Sequence, residues 1–297
     1  MKREIYGNQC LLVTPMNEDE TVDEKSTEKL INHIIENGVH GVLIQGSTGE
    51  GFLFDTDERK AFMDLVVQYI DGRVPVGFTI ESSSTSVAVD LAKYAAKSNI
   101  DYLFTTPPYR HPHKAPGIYE HFKAINDSTD LPVAIYDGGA GIELGLGLLE
   151  KISQNLDNIK FCKVYLEKPE KVVQISDATQ GKIIPWAGHD RLSYLMLRYG
   201  APAMTSAASC ILPQENTNMF NYIQTGEIEK ARQIYLQMVC PLNAMAFYTV
   251  LDYIAAYKMA LYFMGIIETP TVRKPLVQLD SIMQNELREA LRLIGKL

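Results

Sequence analysis

One lysine carries more chemical content than any other residue in this sequence. Lys163 lies near the end of the apolar run Ile159–Val164, on the same face as Ile159 and Phe161 under the two-residue period of a strand. An ammonium placed there loses hydration, and desolvation lowers the pKa of a lysine. A neutral amine is what nucleophilic attack on a carbonyl needs. Catalytic lysines are brought to roughly 7–8 from a reference near 10.4. The pattern alone equally fits a lysine that snorkels to solvent and pairs with a carboxylate. Lys160, on the opposite face at the run's start, reads as a surface group.

Three other places could do chemistry. Gly46-Ser47-Thr48-Gly49-Glu50 offers two hydroxyls and free backbone N–H groups just before a helical stretch, which suits a carboxylate cradle or an ordinary turn. Tyr136 ends an apolar run, where its phenol is either a proton carrier or a packed ring with a satisfied hydroxyl. His111 and His113 flank Pro112 without a third ligand at metal spacing, so no metal site is expected.

Elements that could hold these groups follow from periodicity. Short apolar runs recur at Cys10–Val13, Gly41–Gln45, Val74–Ile80, Ile100–Thr105, Pro132–Tyr136, Ile159–Val164, Ile183–Ala187 and Ala201–Ser206. Being apolar on both faces, they suit parallel strands covered on both sides. Helical spacings fill the gaps. Leu30, Ile31, Ile34 and Ile35 make one stripe, and Asp55 with Glu58 forms a capping pattern before another. Eight such units predict an α/β fold, a (β/α)8 TIM barrel with reactive groups at the C-terminal strand ends. No Gly-x-Gly-x-x-Gly follows the first run, against a dinucleotide-binding open sheet. After Pro213 the pattern is purely helical, with expected helices over 227–238, 244–264 and 281–294. The expected organisation is a barrel over 1–224 carrying the site and a C-terminal α-helical subdomain over 225–297.

Composition narrows the function. The 297 residues are 46% hydrophobic and carry a net charge of −8 with no basic cluster, which argues against nucleic-acid binding. Cys10, Cys162, Cys210 and Cys240 are widely spaced and read as buried free thiols of a reducing compartment. The first seven residues lack the apolar core of a signal peptide. The greasy stretch 238–267 is interrupted by Pro241, Asn243, Asp252 and Lys258, so no membrane span is expected. A cytoplasmic location is expected.

Taken together and in order, several motifs resemble those of the dihydrodipicolinate synthase / N-acetylneuraminate lyase family of pyruvate-dependent class I aldolases. They are Val13-Thr14-Pro15, Gly46–Glu50, Val74-Pro75-Val76-Gly77, Pro107-Pro108-Tyr109, Leu131–Tyr136, Asn158–Lys163 and Gly200–Pro213. The resemblance implies that Lys163 forms a Schiff base with pyruvate while Tyr136 moves protons. Thr48, and Tyr109 from a neighbouring subunit, would complete a proton relay. Ser47 and Thr48 would hold the pyruvate carboxylate, with the Thr205 backbone beside it. The imine does a cofactor's work, so neither metal nor organic cofactor is implied. A homo-oligomer, dimer or tetramer, is implied, acting on pyruvate and an aldehyde.

The chain also departs from that family. Asp137-Gly138-Gly139-Ala140-Gly141 replaces the usual Asn-x-Pro, and the arginine that receives the carboxylate of aspartate-semialdehyde is missing. Val164 follows the lysine, and the eighth-strand loop carries Ala207 and Cys210. Asp190 is kept where sialic-acid lyases hold sugar hydroxyls, but Arg191 stands in place of Glu. The reading is therefore a pyruvate-dependent aldolase or lyase with an unassigned aldehyde. The alternatives are 4-hydroxy-tetrahydrodipicolinate synthase activity and a non-catalytic keto-acid-binding barrel.

Overall fold

The computed structural model describes residues 3–246 and 252–297. Eight strands close into one parallel barrel in sequence order. They are β1 Gly7–Leu11, β2 Gly41–Ile44, β3 Val76–Thr79, β4 Tyr102–Thr105, β5 Val133–Asp137, β6 Ile159–Val164, β7 Ile184–Ala187 and β8 Ala203–Ser206. Helices stand between them: α1 Glu24–Glu36, α2 Thr56–Ile70, α3 Thr85–Ala95, α4 Ala115–Asn126, α5 Leu146–Asn155, α6 Lys171–Ala178 and α7 Ser193–Arg198. Then follow α8 Pro213–Gln224, α9 Ile228–Ile234, α10 Cys240–Ala244, α11 Tyr253–Phe263 and α12 Ser281–Leu293. The barrel and the helical C-terminus are those the periodicity predicts. The chain forms two compact units, one of Met1–Tyr6 with Pro75–Thr205, the other of Gly7–Val74 with Ser206–Leu297.

In the unit built on β3 to β8, large rings fill the inward face. Tyr102 meets Trp186 edge to face at 5.5 Å, and Phe161 lies 4.6 Å from Trp186. Such pairs add to the area they bury. β3 accommodates them by having no side chain opposite: Gly77 pairs in register with Tyr102, and a Cβ on Gly77 would lie 2.2 Å from that ring. β5 and β6 run in register at their upper ends, with Tyr136 beside Lys163, and β7 sets Trp186 beside Lys163 on the other side.

In the other unit, α1 buries Leu30, Ile31 and Ile34 along the predicted stripe. α2 starts at a full capping box, Asp55 accepting from Asp57 and Glu58 while Glu58 returns to the Asp55 N–H. β1 begins three residues before the apolar run that announces it. Its first residues, Asn8 and Gln9, are polar but buried, Asn8 hydrogen-bonding Thr217 and Ser209. Two details correct the sequence reading. Cys10, Cys162 and Cys210 are buried free thiols as expected, with Cys10 and Cys210 3.6 Å apart, whereas Cys240 is only half-buried. The helix expected over 227–238 is α9 followed by a π turn over Tyr235–Val239. The helix expected over 244–264 includes residues 247–251, which lie outside the described residues, and α11 covers its second half.

Candidate active site

Lys163 is 6% exposed near the C-terminal end of β6, where the strand's inward parity places it. Its Nζ lies 4.3 Å from the centre of the Tyr136 ring, 5.7 Å from Phe104 and 5.8 Å from Tyr165. Among the described residues none accepts a hydrogen bond from Nζ or pairs with it at ion-pair distance. Burial pulls its pKa down to about 8, against an opposing pull from the charges of Asp190 and Glu81. The aromatic faces favour the cation only weakly compared with water, so a sizeable fraction of this amine is neutral at physiological pH. Lys160 on the opposite face is exposed, as its parity predicts.

The space for this side chain depends on Gly188, just past β7. A Cβ there would lie 2.4 Å from Lys163 Cγ and 2.7 Å from the Val164 carbonyl. Beyond it, His189 stacks on Tyr165 at 4.5 Å with an interplanar angle of 11°. Burial, then the Arg191 charge, holds His189 down to about 4, so the imidazole is neutral. Its Nδ1 has no hydrogen-bond partner among the described residues. Asp190 is 8% exposed, and Arg191 donates to Glu167 at 3.0 Å. Burial also pushes the Tyr165 phenol up, so it stays protonated.

Behind Tyr136 the chain is pinned by a second lysine. Lys171 of α6, nearly fully buried, donates to Glu143 and to the Leu144 carbonyl, each at 3.0 Å, with Asp137 3.6 Å away. Asp137 accepts from the Leu144 N–H at 2.6 Å, and burial raises its pKa. The segment that departs from the family pattern is therefore folded back on β5 by its own hydrogen bonds and ion pairs. Lys168 and Lys171 near it are both engaged by Glu143.

The remaining expected residues fall as follows. Thr205, in β8, is buried, and its hydroxyl has no hydrogen-bond partner among the described residues. Tyr109 is 39% exposed on the loop after β4, beside Arg110, whose N–H donates to Ser83. In the other unit, Thr48 is buried and Ser47 exposed in a short turn after β2. That turn is tied by Gly49 and Gly51 N–H groups to the Gly46 carbonyl, and by the Thr14 hydroxyl to Gly49. Glu50 closes it with a left-handed backbone, φ 58°. Its fully buried carboxylate pairs with Lys258 of α11, also fully buried, and accepts from the Arg273 N–H at 2.7 Å.

Sequence reasoning brings out Lys163, Tyr136 and Asp190, which the structure gathers in one unit. It misses Glu81, Phe104, Tyr165 and His189. Tyr165 carried a usable signal, being two residues beyond Lys163 on the same face. Glu81 sits in Ile80-Glu81-Ser82-Ser83-Ser84, a stretch that reads as loop.

Residues 5–294 match the profile described as the dihydrodipicolinate synthetase family. The 4-hydroxy-tetrahydrodipicolinate synthase of Oceanobacillus iheyensis is 31% identical over 277 residues, 92% of each chain. Two solved structures share the fold. The chloride-inhibited dihydrodipicolinate synthase of Acinetobacter baumannii complexed with pyruvate has a TM-score of 0.92 and 26% identity, covering 99% of this chain and 100% of that one. A monomeric dihydrodipicolinate synthase variant has a TM-score of 0.91 and 26% identity, covering 99% and 98%.

Proposed function

The chain belongs to the dihydrodipicolinate synthetase family, whose members are Schiff-base class I aldolases acting on small molecules, and we propose that Lys163 is the residue that forms the imine with pyruvate. The observation that carries this is a buried amine without a carboxylate partner, lowered to about 8, among aromatic rings at a strand end. The neutral amine attacks the keto carbon, and loss of water leaves a protonated imine. The protonated imine withdraws electrons and so acidifies the pyruvate methyl, whose proton passes to the proton carrier, leaving an enamine. The enamine carbon bonds to an aldehyde carbon, the aldehyde oxygen takes a proton, and hydrolysis frees Lys163; cleavage runs the same steps backward. Tyr136, whose ring lies against Nζ, is the proposed proton carrier. The imine is the electron sink, so this chemistry draws on no separate cofactor. The resemblance to the family gives Ser47 and Thr48 the pyruvate carboxylate, Thr205 a backbone contact, Tyr109 a part in the relay across an oligomer, and Asp190 the hydroxyls of the second substrate. A cytoplasmic location and a helical subdomain over 225–297 belong to the same proposal.

A second reading is condensation of pyruvate with aspartate-semialdehyde. It is favoured by the name of the 31%-identical relative. Pyruvate condensation assayed with aspartate-semialdehyde, beside cleavage of 2-keto-3-deoxy sugar acids, separates the two readings. In whichever assay the protein is active, Lys163→Ala is expected to abolish turnover and Lys160→Ala to preserve it. Turnover surviving in Lys163→Ala would remove the proposal.

A further inference from the structure

We infer that Tyr165 is a specificity-determining residue: clamped against His189, its ring roofs the imine site and restricts the second substrate to a short-chain aldehyde. The inference rests on the imine chemistry proposed for Lys163.

The place of the ring follows from the strand ladder. β5 and β6 pair Tyr136 with Lys163 and Asp137 with Val164. The ladder runs one step further, the Tyr165 N–H donating to the Asp137 carbonyl at 2.9 Å. The two-residue period therefore returns Tyr165 to the face of Lys163, one layer nearer the C-terminal strand ends from which a barrel site is reached. Its ring centre lies 5.8 Å from the Lys163 Nζ. Two neighbours hold the ring. His189 stacks on it at 4.5 Å with an angle of 11°, and Tyr136 meets it edge to face at 6.1 Å and 81°. The backbone is held as well. A Cβ on Gly138 would lie 2.4 Å from the Tyr165 carbonyl, so the turn after β5 packs directly on this residue. His189 has its own neighbour in Arg191, 3.4 Å from its Nε2, and Arg191 donates to Glu167.

Distances decide what can pass. A substrate atom lying between Nζ and the Tyr165 ring centre, in contact with both at about 3.5 Å, would need about 7 Å. The structure offers 5.8 Å. Once the keto carbon is bonded to Nζ, the ring lies against the imine and the site is closed on this side. The enamine carbon that attacks the aldehyde is two bonds from Nζ, so the aldehyde also docks close to this ring. A short aldehyde keeps clear of it. A longer chain has to displace Tyr165 and break its stack on His189. Burial keeps the phenol protonated and the imidazole neutral, so the two rings exclude by shape and not by charge.

The test compares acetaldehyde with hexanal as acceptors for pyruvate, two uncharged aldehydes that differ only in methylenes. In an open apolar site the extra methylenes favour hexanal, so a preference for acetaldehyde reads exclusion. Wild type is expected to favour acetaldehyde in kcat/KM. In Tyr165→Ala the ratio is expected to move about 10-fold or more toward hexanal, while Tyr165→Phe, which keeps the ring, keeps the wild-type ratio. His189→Ala removes the stacked partner and is expected to move the ratio the same way by less. The ratio is read within one protein, so a loss of folded protein cancels from it. A wild-type preference for hexanal overturns the inference. So does a ratio that neither Tyr165→Ala nor His189→Ala changes, or a Tyr165→Phe ratio equal to that of Tyr165→Ala. Turnover of neither aldehyde by wild type and Tyr165→Ala, with pyruvate still trapped on Lys163 by borohydride, overturns it too. Absence of pyruvate trapping on wild-type Lys163 is a different failure, since it removes the imine reading itself.

Discussion

Lys258 and Lys163 are both buried, and the fold treats them differently. Lys258 has a carboxylate against it, Glu50, and a carbonyl acceptor, Thr271, at 2.8 Å. Burial lowers its pKa too, but Glu50 opposes that directly through charge and hydrogen bond. Lys163 has aromatic faces and two carboxylates outside ion-pair distance. A paired lysine fixes a loop. An unpaired one is kept at a cost in stability, and is free to serve the nucleophilic role proposed for Lys163. The difference between the two buried amines is a partner: Lys258 has Glu50 against it, and Lys163 has no ion-pair partner among the described residues.

Breaking the paired site is expected to give the largest effect on stability. Lys258→Met leaves the buried Glu50 carboxylate without its ion-pair partner, held only by the Arg273 N–H, and such a change costs about 3–5 kcal/mol. Urea unfolding at neutral pH reads this as a lower midpoint. Adding Glu50→Gln is expected to recover part of it, because the uncompensated charge goes while the oxygen facing the Arg273 N–H remains. A neutral outcome for the single variant would mean that the pair contributes little.

At the unpaired site the sign reverses. Holding Lys163 near 8 rather than at its usual 10.5 amounts to about 3 kcal/mol against the charged form at neutral pH. Lys163→Met removes that burden and is expected to stabilise the protein by up to this amount while abolishing turnover, the trade seen where function needs a destabilised group. The pH dependence follows the same sign. Between about 8 and 10.5 the unfolded chain holds the proton and the folded chain does not, so wild-type stability gains on Lys163→Met as pH rises through that window. Unfolding curves for both proteins at pH 7.5 and 10 check this. A widening gap in favour of the variant at the higher pH would refute it.

A smaller effect concerns rate. Because the attacking form is neutral, trapping of pyruvate by borohydride is expected to quicken through about pH 8 and then level off. A midpoint near the usual lysine value would show that the amine is not desolvated in solution.

Much of this was legible in the sequence. Each apolar run became a strand with bounds shifted by at most three residues, because strands covered on both faces leave uninterrupted apolar text. The parity of Ile159, Phe161 and Lys163 placed the lysine inward, and Asp55 with Glu58 foretold the start of α2. What stayed hidden depends on distant partners. Lys258 reads only as a charge that interrupts an apolar stretch, since its partner Glu50 is 208 positions earlier. Cys10 and Cys210 meet only after the chain returns to β1. Glu81 lies past the end of its strand among serines, where only the β3–β4 register shows which face it takes.

The most direct test of the central claim is to incubate the protein with pyruvate, reduce with borohydride and map the modified peptide by mass spectrometry. A single reduced adduct on Lys163, with Lys258, Lys171 and Lys160 unmodified, is the predicted result. An adduct on another lysine, or none on Lys163 at a pH where its amine is neutral, would contradict the account.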